Sequence, residues 1–147
     1  MGYGVPAAVA ASLLYPYRTV VNFAGDGDFQ MTGQELATAK AHGARKLISI
    51  VVDNGTWGTI RMHQEREYPA RVSGSDLVAN PDFAALARAY GWRAASVSRT
   101  AEFEPAFAAA LAVEEPTLIH LRLDTDVSNP RTTLSALRAA ALQRASG

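Results

Sequence analysis

The sequence contains no cysteine, which excludes disulfide bonds, zinc sites built from thiolates and catalysis by a thiol. No apolar run approaches the roughly 20 residues that a transmembrane helix needs. The formal net charge is +0 at pH 7, so the composition does not favour a nucleic-acid partner. The start of the sequence lacks the basic flank and apolar stretch of a signal peptide. These absences predict a cytoplasmic, soluble domain with neither a membrane nor a nucleic acid as partner.

Apolar runs that contain β-branched residues alternate with helical patterns along the chain. Strands are predicted over residues 19–24, 47–52, 94–97 and 117–123, and helices over residues 5–14, 32–42, 57–65, 80–90, 100–113 and 133–143. The first two strands have the composition of parallel strands that are buried on both faces. The alternation predicts one α/β domain over residues 1–147, with an open, doubly wound parallel sheet and helices on both faces. Because four strands are few and a helix comes first, we expect a missing N-terminal edge strand and a longer parent protein.

Particular residues are predicted to mark the ends of the helices. Thr32 and Glu35 have the spacing of a capping box, which makes Thr32 the predicted N-cap. Asn80 and Thr100 are each predicted to cap the helix that begins there. Gly43 and Gly91 are predicted to end the helices that precede them.

Polar residues follow the first two strands at the point where each strand ends. Asp26 stands between Gly25 and Gly27 after the first strand, and Asn54 follows the second. Ligands bind at the carboxyl ends of strands in open α/β sheets. A carboxylate and an amide oxygen there suit Mg²⁺, which in proteins completes its shell with phosphate oxygens. The two glycines allow a phosphate to approach the backbone closely. The sequence therefore predicts a magnesium and phosphate site at this edge.

Other polar residues have alternative interpretations. His63 is a candidate catalytic residue, whereas His120 is predicted to be a satisfied residue of the core or the rim. Arg61 and Glu65 belong to a charged run that is predicted to be a solvated face, with a carboxylate substrate as the alternative partner of Arg61. The glycine turn lacks the spacing of a dinucleotide fingerprint or a Walker loop. No nucleophile-elbow sequence is present.

Six short stretches carry a resemblance to a known family. They are MGYGVPAA (1–8), GDGDFQM (25–31), QELATA (34–39), DNG (53–55), NPDF (80–83) and PTLI (116–119). With these stretches in this order, the whole chain resembles the C-terminal cofactor-binding (pyrophosphate) domain of thiamine-diphosphate enzymes of the acetolactate synthase and pyruvate decarboxylase superfamily. Among its members, the chain is most similar to acetolactate synthase-like proteins.

The resemblance implies thiamine diphosphate and Mg²⁺ as cofactors. The implied metal ligands are the side chains of Asp26 and Asn54 and the main-chain carbonyl of Thr56. The implied cofactor-binding residues are Met1, Gly25, Asp26, Gly27, Asp28, Asn54, Thr56, Trp57 and Gly58. Met1 matches the bulky apolar residue that props the cofactor into its bent shape, which would make it an internal methionine of the parent sequence.

The chain departs from the family pattern around Asn54. Many members have paired asparagines where this chain has Asp53 and Asn54. The carboxylate of Asp53 either tightens the binding of Mg²⁺ or points away as a turn residue, and the second interpretation is favoured. The interval from Asp26 to Asn54 is also one residue longer than in close acetolactate synthases. The extra residue is expected in the loop over residues 43–46, which tolerates insertion and leaves Asn54 as the ligand. If it lies in the strand instead, Asp53 replaces Asn54 as the ligand.

The resemblance also implies an enzyme, either a lyase or a transferase, that cleaves or forms carbon–carbon bonds. The implied substrate is a 2-oxo acid or an aldehyde. The implied reaction is decarboxylation, carboligation or both, through a cofactor ylid. In the family, a glutamate of a separate pyrimidine-binding domain, of the same or a partner subunit, drives ylid formation. The isolated chain is therefore expected to be inactive, and the intact enzyme to be a homodimer or homotetramer. The alternatives are a non-catalytic, degenerate module that scaffolds a partner domain, and a flavodoxin-like phosphate-binding domain.

Overall fold

A computed structural model describes residues 1–77 and 79–145, which divide into two compact units. The first unit comprises Met1–Asp53 and Asn80–Arg122, and the second comprises Asn54–Ala79 and Leu123–Gly147. Within the described ranges, no helix is both long enough and apolar enough to cross a membrane.

Helices and strands alternate through the first unit and continue into the second. The helices are α1 (Gly4–Leu14), α2 (Asp26–Thr32), α3 (Glu35–Ala41), α4 (Gly58–Glu67), α5 (Phe83–Ala89), α6 (Thr100–Leu111) and α7 (Leu134–Ala145). The strands are β1 (Val20–Gly25), β2 (Leu47–Asp53), β3 (Arg93–Val97), β4 (Thr117–Arg122), β5 (Val127–Asn129) and β6 (Thr132–Thr133). The first unit contains β1 to β4 with α1, α2, α3, α5 and α6, and the second contains α4, α7 and the β5–β6 pair.

The first unit is built on a parallel four-stranded sheet with the strand order β1-β2-β4-β3. In the pairing of β1 with β2, Gly25 lies opposite Val52, so the carboxyl ends of the two strands are side by side. Asp26 and Asp53 follow these two positions directly. The predicted parallel α/β sheet is therefore confirmed, and the first two predicted strands are indeed neighbours.

Apolar side chains pack on both faces of this sheet. On one face, the packed residues come from α1, α2, α3 and α5 together with Leu47 and Val51 of β2. On the other face, residues of α6 pack with Ile48 and Ile50. Alternate residues of a strand point to opposite faces, so β2 supplies side chains to both layers. The doubly wound arrangement with helices on both faces is confirmed.

The prediction that both early strands are buried on both faces is confirmed for β2 and wrong for β1. Val21 and Phe23 of β1 are 39% and 65% exposed, whereas the alternate residues Asn22 and Ala24 are buried. The reason is that α6, the helix on that face, packs on β3 and β4, whereas β1 lies at the opposite edge of the sheet. Its β-branched and aromatic composition suits a half-buried strand as well as a buried one.

The predicted helix over residues 32–42 is wrong at its start. A separate helix, α2, occupies Asp26–Thr32, and α3 begins at Glu35 after Gln34, whose side chain makes no cap hydrogen bond. The Thr32 hydroxyl donates instead to the carbonyl oxygen of Gly2, 3.0 Å away. Thr32 and Glu35 therefore have the spacing of a capping box but do not form one, because Thr32 is the last residue of α2.

Two further predicted caps are also wrong. The N-cap of α5 is Asp82, whose carboxylate accepts a hydrogen bond from the Ala85 amide at 3.0 Å, rather than Asn80. Thr100 is the first residue of α6 and its N-cap is Arg99. At the other helix ends, Gly43 and Gly91 do follow α3 and α5, with φ of 67° and 76°. Glycine adopts these angles without the strain that a side chain would introduce.

Each unit contains one of the two tryptophans. In the first unit, Trp92 is buried, and its indole N–H donates to the carbonyl oxygen of Leu36 at 2.9 Å. In the second unit, Trp57 is the N-cap residue of α4. The second unit also contains the antiparallel β5–β6 pair, which the sequence did not predict because its strands have only three and two residues.

Candidate functional site

The Asp26 carboxylate lies at the carboxyl end of β1, where α2 begins. The residue is 4% exposed, and its Oδ1 accepts a hydrogen bond from the Gly27 amide at 2.8 Å. Strand β1 ends at Gly25, and the turn into α2 brings Asp26 to the edge where β1 and β2 both end. The location that the sequence predicts for Asp26 is therefore the one that the structure shows.

Asn80 holds the Asp26 carboxylate from a different part of the chain. Its amide nitrogen is 2.8 Å from Asp26 Oδ2 and 2.9 Å from Asp53 Oδ1. The same nitrogen thus donates to two carboxylates that follow neighbouring strands. Sequence reasoning missed this role, since Asn80 was interpreted as a helix cap. The only signal for it was the position of Asn80 in the NPDF stretch.

Asp53 is engaged on both of its carboxylate oxygens. Oδ1 accepts from Asn80, and Oδ2 lies 2.8 Å from His120 Nε2. Asp53 is the last residue of β2, so the favoured interpretation of it as a turn residue that points away is wrong. The side chain belongs to a hydrogen-bonded group at the carboxyl end of the sheet.

His120 is buried, as predicted, but only one of its ring nitrogens is satisfied. Nε2 is paired with Asp53, whereas Nδ1 has no hydrogen-bond partner within the described part of the chain. The nearest acidic atom to Nδ1 is Asp82 Oδ1, at 3.7 Å, which is too long for a hydrogen bond. The ring packs edge-on against Phe83 with centroids 5.1 Å apart, which fixes its plane.

Electrostatics at this edge favour a cation. Burial raises the pKa of the Asp26 carboxyl, and the adjacent Asp53 side chain raises it further, whereas the Gly27 amide and Asn80 oppose the rise. Two neighbouring carboxylates destabilise each other's charged forms. A divalent ion stabilises both of those charged forms, so this pair of carboxylates is chemically suited to a divalent cation.

The second unit contains the other predicted ligands, Asn54 and Thr56. The Asn54 side-chain oxygen accepts from the Thr56 amide at 3.1 Å and from the Thr56 hydroxyl at 3.4 Å. Thr56 is buried and forms an isolated antiparallel bridge with Asp76. The structure therefore brings Asn54 and Thr56 together. The joint assignment of these residues with Asp26 as metal ligands stays a prediction.

Side chains alone do not form a complete metal site in residues 1–77 and 79–145, where no group of three or more histidines, aspartates or glutamates has the required arrangement. The predicted set of one carboxylate, one amide oxygen and one main-chain carbonyl needs further oxygens from a bound phosphate.

Gly58, the first residue of α4, lies against Asn54. A Cβ atom built at Gly58 would be 2.9 Å from Asn54 Nδ2, a distance that the two atoms do not tolerate. The Asn54 amide is the movable partner, so a larger residue at position 58 would displace it. Gly58 therefore sets the position of Asn54 by leaving room for its side chain.

We expect Gly58→Ala to weaken metal-dependent cofactor binding about tenfold while changing the free energy of unfolding by less than about 1 kcal/mol, since alanine is a better helix former than glycine. Calorimetric titration and thermal unfolding measure the two effects. In an Asn54→Ala background, the same substitution is expected to have no further effect on binding. A further loss in that background would contradict the role assigned to Gly58.

The remaining predicted cofactor-binding residues of the first unit lie at the start of the chain and of α2. Asp28 accepts a hydrogen bond from the Gly2 amide at 2.5 Å, which attaches the N-terminal segment to α2. Met1, next to this contact, is largely exposed. The Gly27 amide, predicted to face a diphosphate, donates here to Asp26.

His63 and Arg61 lie on α4 with partners of their own. The exposed His63 has its Nδ1 2.9 Å from an Arg66 nitrogen. Arg61 pairs with Glu65, 2.8 Å away, and with Asp76. Glu65 is fully buried, so the prediction of a solvated face is wrong for this pair. Arg61 is thereby engaged in ion pairs, whereas the catalytic role of His63 stays a prediction.

Comparison with known proteins places this chain in a family. Residues 1–121 match the family described as "Thiamine pyrophosphate enzyme, C-terminal TPP binding domain". The chain belongs to this family. Among curated proteins, it is 38% identical over 124 residues to the acetolactate synthase isozyme 2 large subunit of Escherichia coli (strain K12). It is 43% identical over 91 residues to the acetolactate synthase large subunit of Lactococcus lactis subsp. lactis (strain IL1403).

Solved structures of thiamine-diphosphate enzymes share the fold. The chain matches the thiamine diphosphate-dependent 4-hydroxybenzoylformate decarboxylase of Rhodococcus jostii RHA1 with a TM-score of 0.78 and 35% identity over 86% of this chain. It matches the benzoylformate decarboxylase of Polynucleobacter necessarius with a TM-score of 0.77 and 28% identity, again over 86% of this chain. The resemblance to the superfamily that the sequence suggested is confirmed.

The relatives are much longer than this chain. The E. coli match covers 84% of this chain but 22% of the relative, and the L. lactis match covers 62% and 16%. Each decarboxylase structure is covered to 24%. The comparisons therefore show the thiamine-pyrophosphate-binding family, and the reaction of a whole enzyme is a separate question.

Proposed function

We propose that this chain is the Mg²⁺-dependent thiamine-diphosphate-binding portion of an acetolactate synthase-like enzyme that acts on 2-oxo acids by decarboxylation, carboligation or both. The observation that carries the proposal is the buried Asp26 carboxylate at the adjoining ends of β1 and β2, in a chain that belongs to this cofactor's family. Acetolactate synthases, which are transferases, and 2-oxo-acid decarboxylases, which are lyases, are among the relatives.

The proposed metal ligands are the side chains of Asp26 and Asn54 and the main-chain carbonyl of Thr56. One carboxylate with neutral oxygens and phosphate oxygens suits Mg²⁺. Asn54, rather than Asp53, is the proposed second ligand because its neutral oxygen adds no negative charge beside the phosphate, whereas Asp53 already pairs with the buried His120.

The proposed role of the glycines and amides is to receive the diphosphate. A Cβ built at Gly25 meets no atom within 4 Å, so this position leaves open space beside Asp26. The backbone amides of Gly27 and Asp28 would donate to phosphate oxygens, and Trp57 and Gly58 would lie alongside them. When bound, thiamine diphosphate supplies the carbanion stabilisation, and the protein supplies binding and orientation.

We further propose an enzyme that extends beyond these 147 residues. A pyrimidine-binding domain, of the same or a partner subunit, supplies the glutamate that activates the cofactor, so this chain alone is inactive. The intact enzyme is proposed to be a cytoplasmic homodimer or homotetramer with a 2-oxo acid or aldehyde substrate. The small share of each relative that the chain covers, 22% and 24% in two cases, supports a longer parent.

Calorimetric titration of the intact protein with thiamine diphosphate tests the proposal. We expect binding in the presence of Mg²⁺ that weakens at least about tenfold when the metal is chelated, because the diphosphate then lacks its counter-charge. Thiamine monophosphate is the matched control ligand, since it lacks the second phosphate that the metal would bridge.

Two outcomes would contradict the proposal. Absence of thiamine-diphosphate binding at any Mg²⁺ concentration would favour a degenerate module that only scaffolds a partner. Tight binding of a flavin or nucleotide without binding of thiamine diphosphate would favour a different phosphate-binding function.

A further inference from the structure

One antiparallel bridge joins Thr56 to the loop that follows α4. Thr56 lies opposite Asp76 of residues 73–77, the bridging loop. Two backbone hydrogen bonds of 2.8 Å flank this pair, from the Trp57 amide to the Ser75 carbonyl oxygen and from the Leu77 amide to the Gly55 carbonyl oxygen. The bridging loop is therefore attached to the backbone on both sides of Thr56.

This bridge sets the direction of the Thr56 carbonyl group. In an antiparallel pair, a residue between two hydrogen-bonded positions points its own N–H and C=O away from the partner. Thr56 therefore turns both groups to the side on which its amide donates to Asn54 Oδ1, at 3.1 Å. Its carbonyl oxygen accepts from the Gly58 amide at 2.9 Å, which leaves it a second lone pair. The Thr56 carbonyl oxygen thus lies on the same side as the Asn54 side-chain oxygen, as joint ligation of a metal requires.

Two polar side chains of α4 hold the bridging loop. The Gln64 side-chain nitrogen donates to the Ser73 carbonyl oxygen at 2.8 Å, and the Gln64 side-chain oxygen accepts from the Ser75 hydroxyl at 2.8 Å. Three positions earlier on the same helix, Arg61 forms an ion pair with Asp76. Residues three apart lie on the same side of a helix, so the loop is attached to one side of α4 at two points.

We propose that Gln64 and Asp76 are positioning residues of the Mg²⁺ site, because they hold the bridging loop that fixes the direction of the Thr56 carbonyl. The inference rests on the proposed function, since it assumes that this carbonyl ligates the metal. It goes beyond that function by giving the loop after α4, and the polar side chains of α4 that hold it, a role in metal binding.

The side-chain attachments matter because the bridge itself is short. It contains one residue pair, and a backbone hydrogen bond adds little net stability, since water replaces it in the open form. Ser75 is fully buried, and a buried hydroxyl that loses its acceptor is costly. Without the Gln64 amide and the Asp76 carboxylate, moving Ser75 into water relieves that cost, and the movement breaks the bridge.

The test compares Gln64→Ala, Asp76→Ala and the double variant with the unaltered intact protein. Mn²⁺, which accepts the same oxygen ligands as Mg²⁺, is titrated with excess thiamine diphosphate while water-proton relaxation is recorded. We expect the double variant to bind Mn²⁺ at least about tenfold more weakly, and the bound ion to carry an additional exchangeable water in place of the Thr56 carbonyl. Each single variant keeps one attachment and is expected to lose less than about threefold.

A second variant, Leu77→Pro, breaks the bridge without altering α4. Proline has no amide hydrogen, so the hydrogen bond to the Gly55 carbonyl oxygen is lost. We expect the same additional water on the bound Mn²⁺ and a loss of affinity similar to that of the double variant. Circular dichroism of the metal-free proteins checks that every variant is folded.

Glu67→Ala is the matched control for charge. The side chains of Glu67 and Asp76 are both 53% exposed, and each pairs with an arginine of α4. Loss of Glu67 is expected to change neither the affinity for Mn²⁺ nor the number of exchangeable waters. An unchanged number of waters in the double variant and in Leu77→Pro, even with weaker binding, would overturn the inference. Failure of the unaltered protein to bind thiamine diphosphate with Mg²⁺ would instead overturn the proposed function.

Discussion

Replacement of Asp26 by alanine is expected to reduce Mg²⁺-dependent binding of thiamine diphosphate by at least about 100-fold, more than the 10- to 100-fold typical of groups that only orient a ligand. Asp26 supplies the single full negative charge of the proposed ligand set. The other two ligands are neutral oxygens, which hold a divalent cation poorly unless a carboxylate is present. Calorimetry with and without Mg²⁺ measures the loss.

The same substitution is not expected to destabilise the metal-free protein. Burial and the neighbouring Asp53 carboxylate raise the pKa of Asp26, so its charged form is unfavourable in the folded state. Removing the carboxylate relieves that cost, and we expect a free energy of unfolding within about 1 kcal/mol of the original, or higher. A large loss of affinity without a loss of stability would mark Asp26 as a functional residue.

Two further variants control for charge and shape. Asp26→Asn keeps the shape of the side chain without its charge, and we expect it to lose as much affinity for thiamine diphosphate as Asp26→Ala does. Glu104→Ala removes one carboxylate from an exposed position of α6 and is expected to leave affinity unchanged. Cofactor binding of unchanged strength in Asp26→Ala would disprove the assignment of the metal to this residue.

The second large effect is a loss of free energy of unfolding, expected when an ion pair of the second unit is broken. The buried Glu65 of α4 accepts two hydrogen bonds from Arg138 of α7, at 2.7 and 2.5 Å, and one from Arg61 at 2.8 Å. Arg138→Ala would leave the buried carboxylate with one cationic partner. Removing a partner from a buried pair costs up to 3–5 kcal/mol, but the Arg138 side chain is 40% exposed, so we expect about 2 kcal/mol.

Lowering the pH is expected to reduce the difference in stability between the original protein and Arg138→Ala. The Arg138 hydrogen bonds, and to a smaller extent Arg61, lower the pKa of Glu65 to about 2 from an ordinary value of 4.5. A group whose pKa is lower in the folded state stabilises the fold above its unfolded pKa and loses that contribution as the pH falls. The stability difference between the original protein and Arg138→Ala should therefore be constant above about pH 5 and decline toward pH 2.

Urea unfolding at a series of pH values measures both effects. The matched control is Arg66→Ala, which removes a half-exposed arginine of α4 from its pair with the exposed Glu67 and is expected to cost less than about 0.5 kcal/mol. A loss in Arg138→Ala that does not exceed this control, or that persists unchanged at pH 2, would show that Glu65 does not depend on Arg138.

The sheet was predictable because each strand has a local signal. Apolar, β-branched runs end at the positions where β2 and β4 end to within one residue, and Gly43 and Gly91 follow helices with the expected positive φ. The location of Asp26 follows from the same signal, since a residue directly after a parallel strand must lie at the carboxyl edge. The pattern of apolar residues along the chain thus predicts the fold and the position of one residue of the site.

Side-chain partners were not predictable from the same sequence, because they depend on tertiary proximity. Thr32 and Glu35 have capping-box spacing, but the chain had already turned into α2. Asn80 precedes a helix as caps do, yet its amide joins Asp26 and Asp53, which lie 54 and 27 positions earlier in the chain. Short-range patterns do not contain such contacts, and an asparagine before a helix is usually a cap.

The charged run on α4 shows the same limit. Arg61 and Glu65 have the spacing of a surface ion pair, and nothing in their neighbourhood in sequence reveals that Arg138 of α7 covers the carboxylate. Burial of Glu65 follows from the packing of two helices that are about 70 residues apart in the chain, a feature that a reading of local patterns does not supply.

The distribution of the two indole side chains offers a spectroscopic means of following each half of the molecule separately. The indole N–H of Trp92 donates to the carbonyl oxygen of Leu36 in α3, whereas Trp57 is the N-cap residue of α4. A Trp92→Phe background leaves emission from Trp57 alone, and a Trp57→Phe background leaves emission from Trp92. Denaturation curves recorded in the two backgrounds would coincide if the halves unfold cooperatively and diverge if each melts by itself.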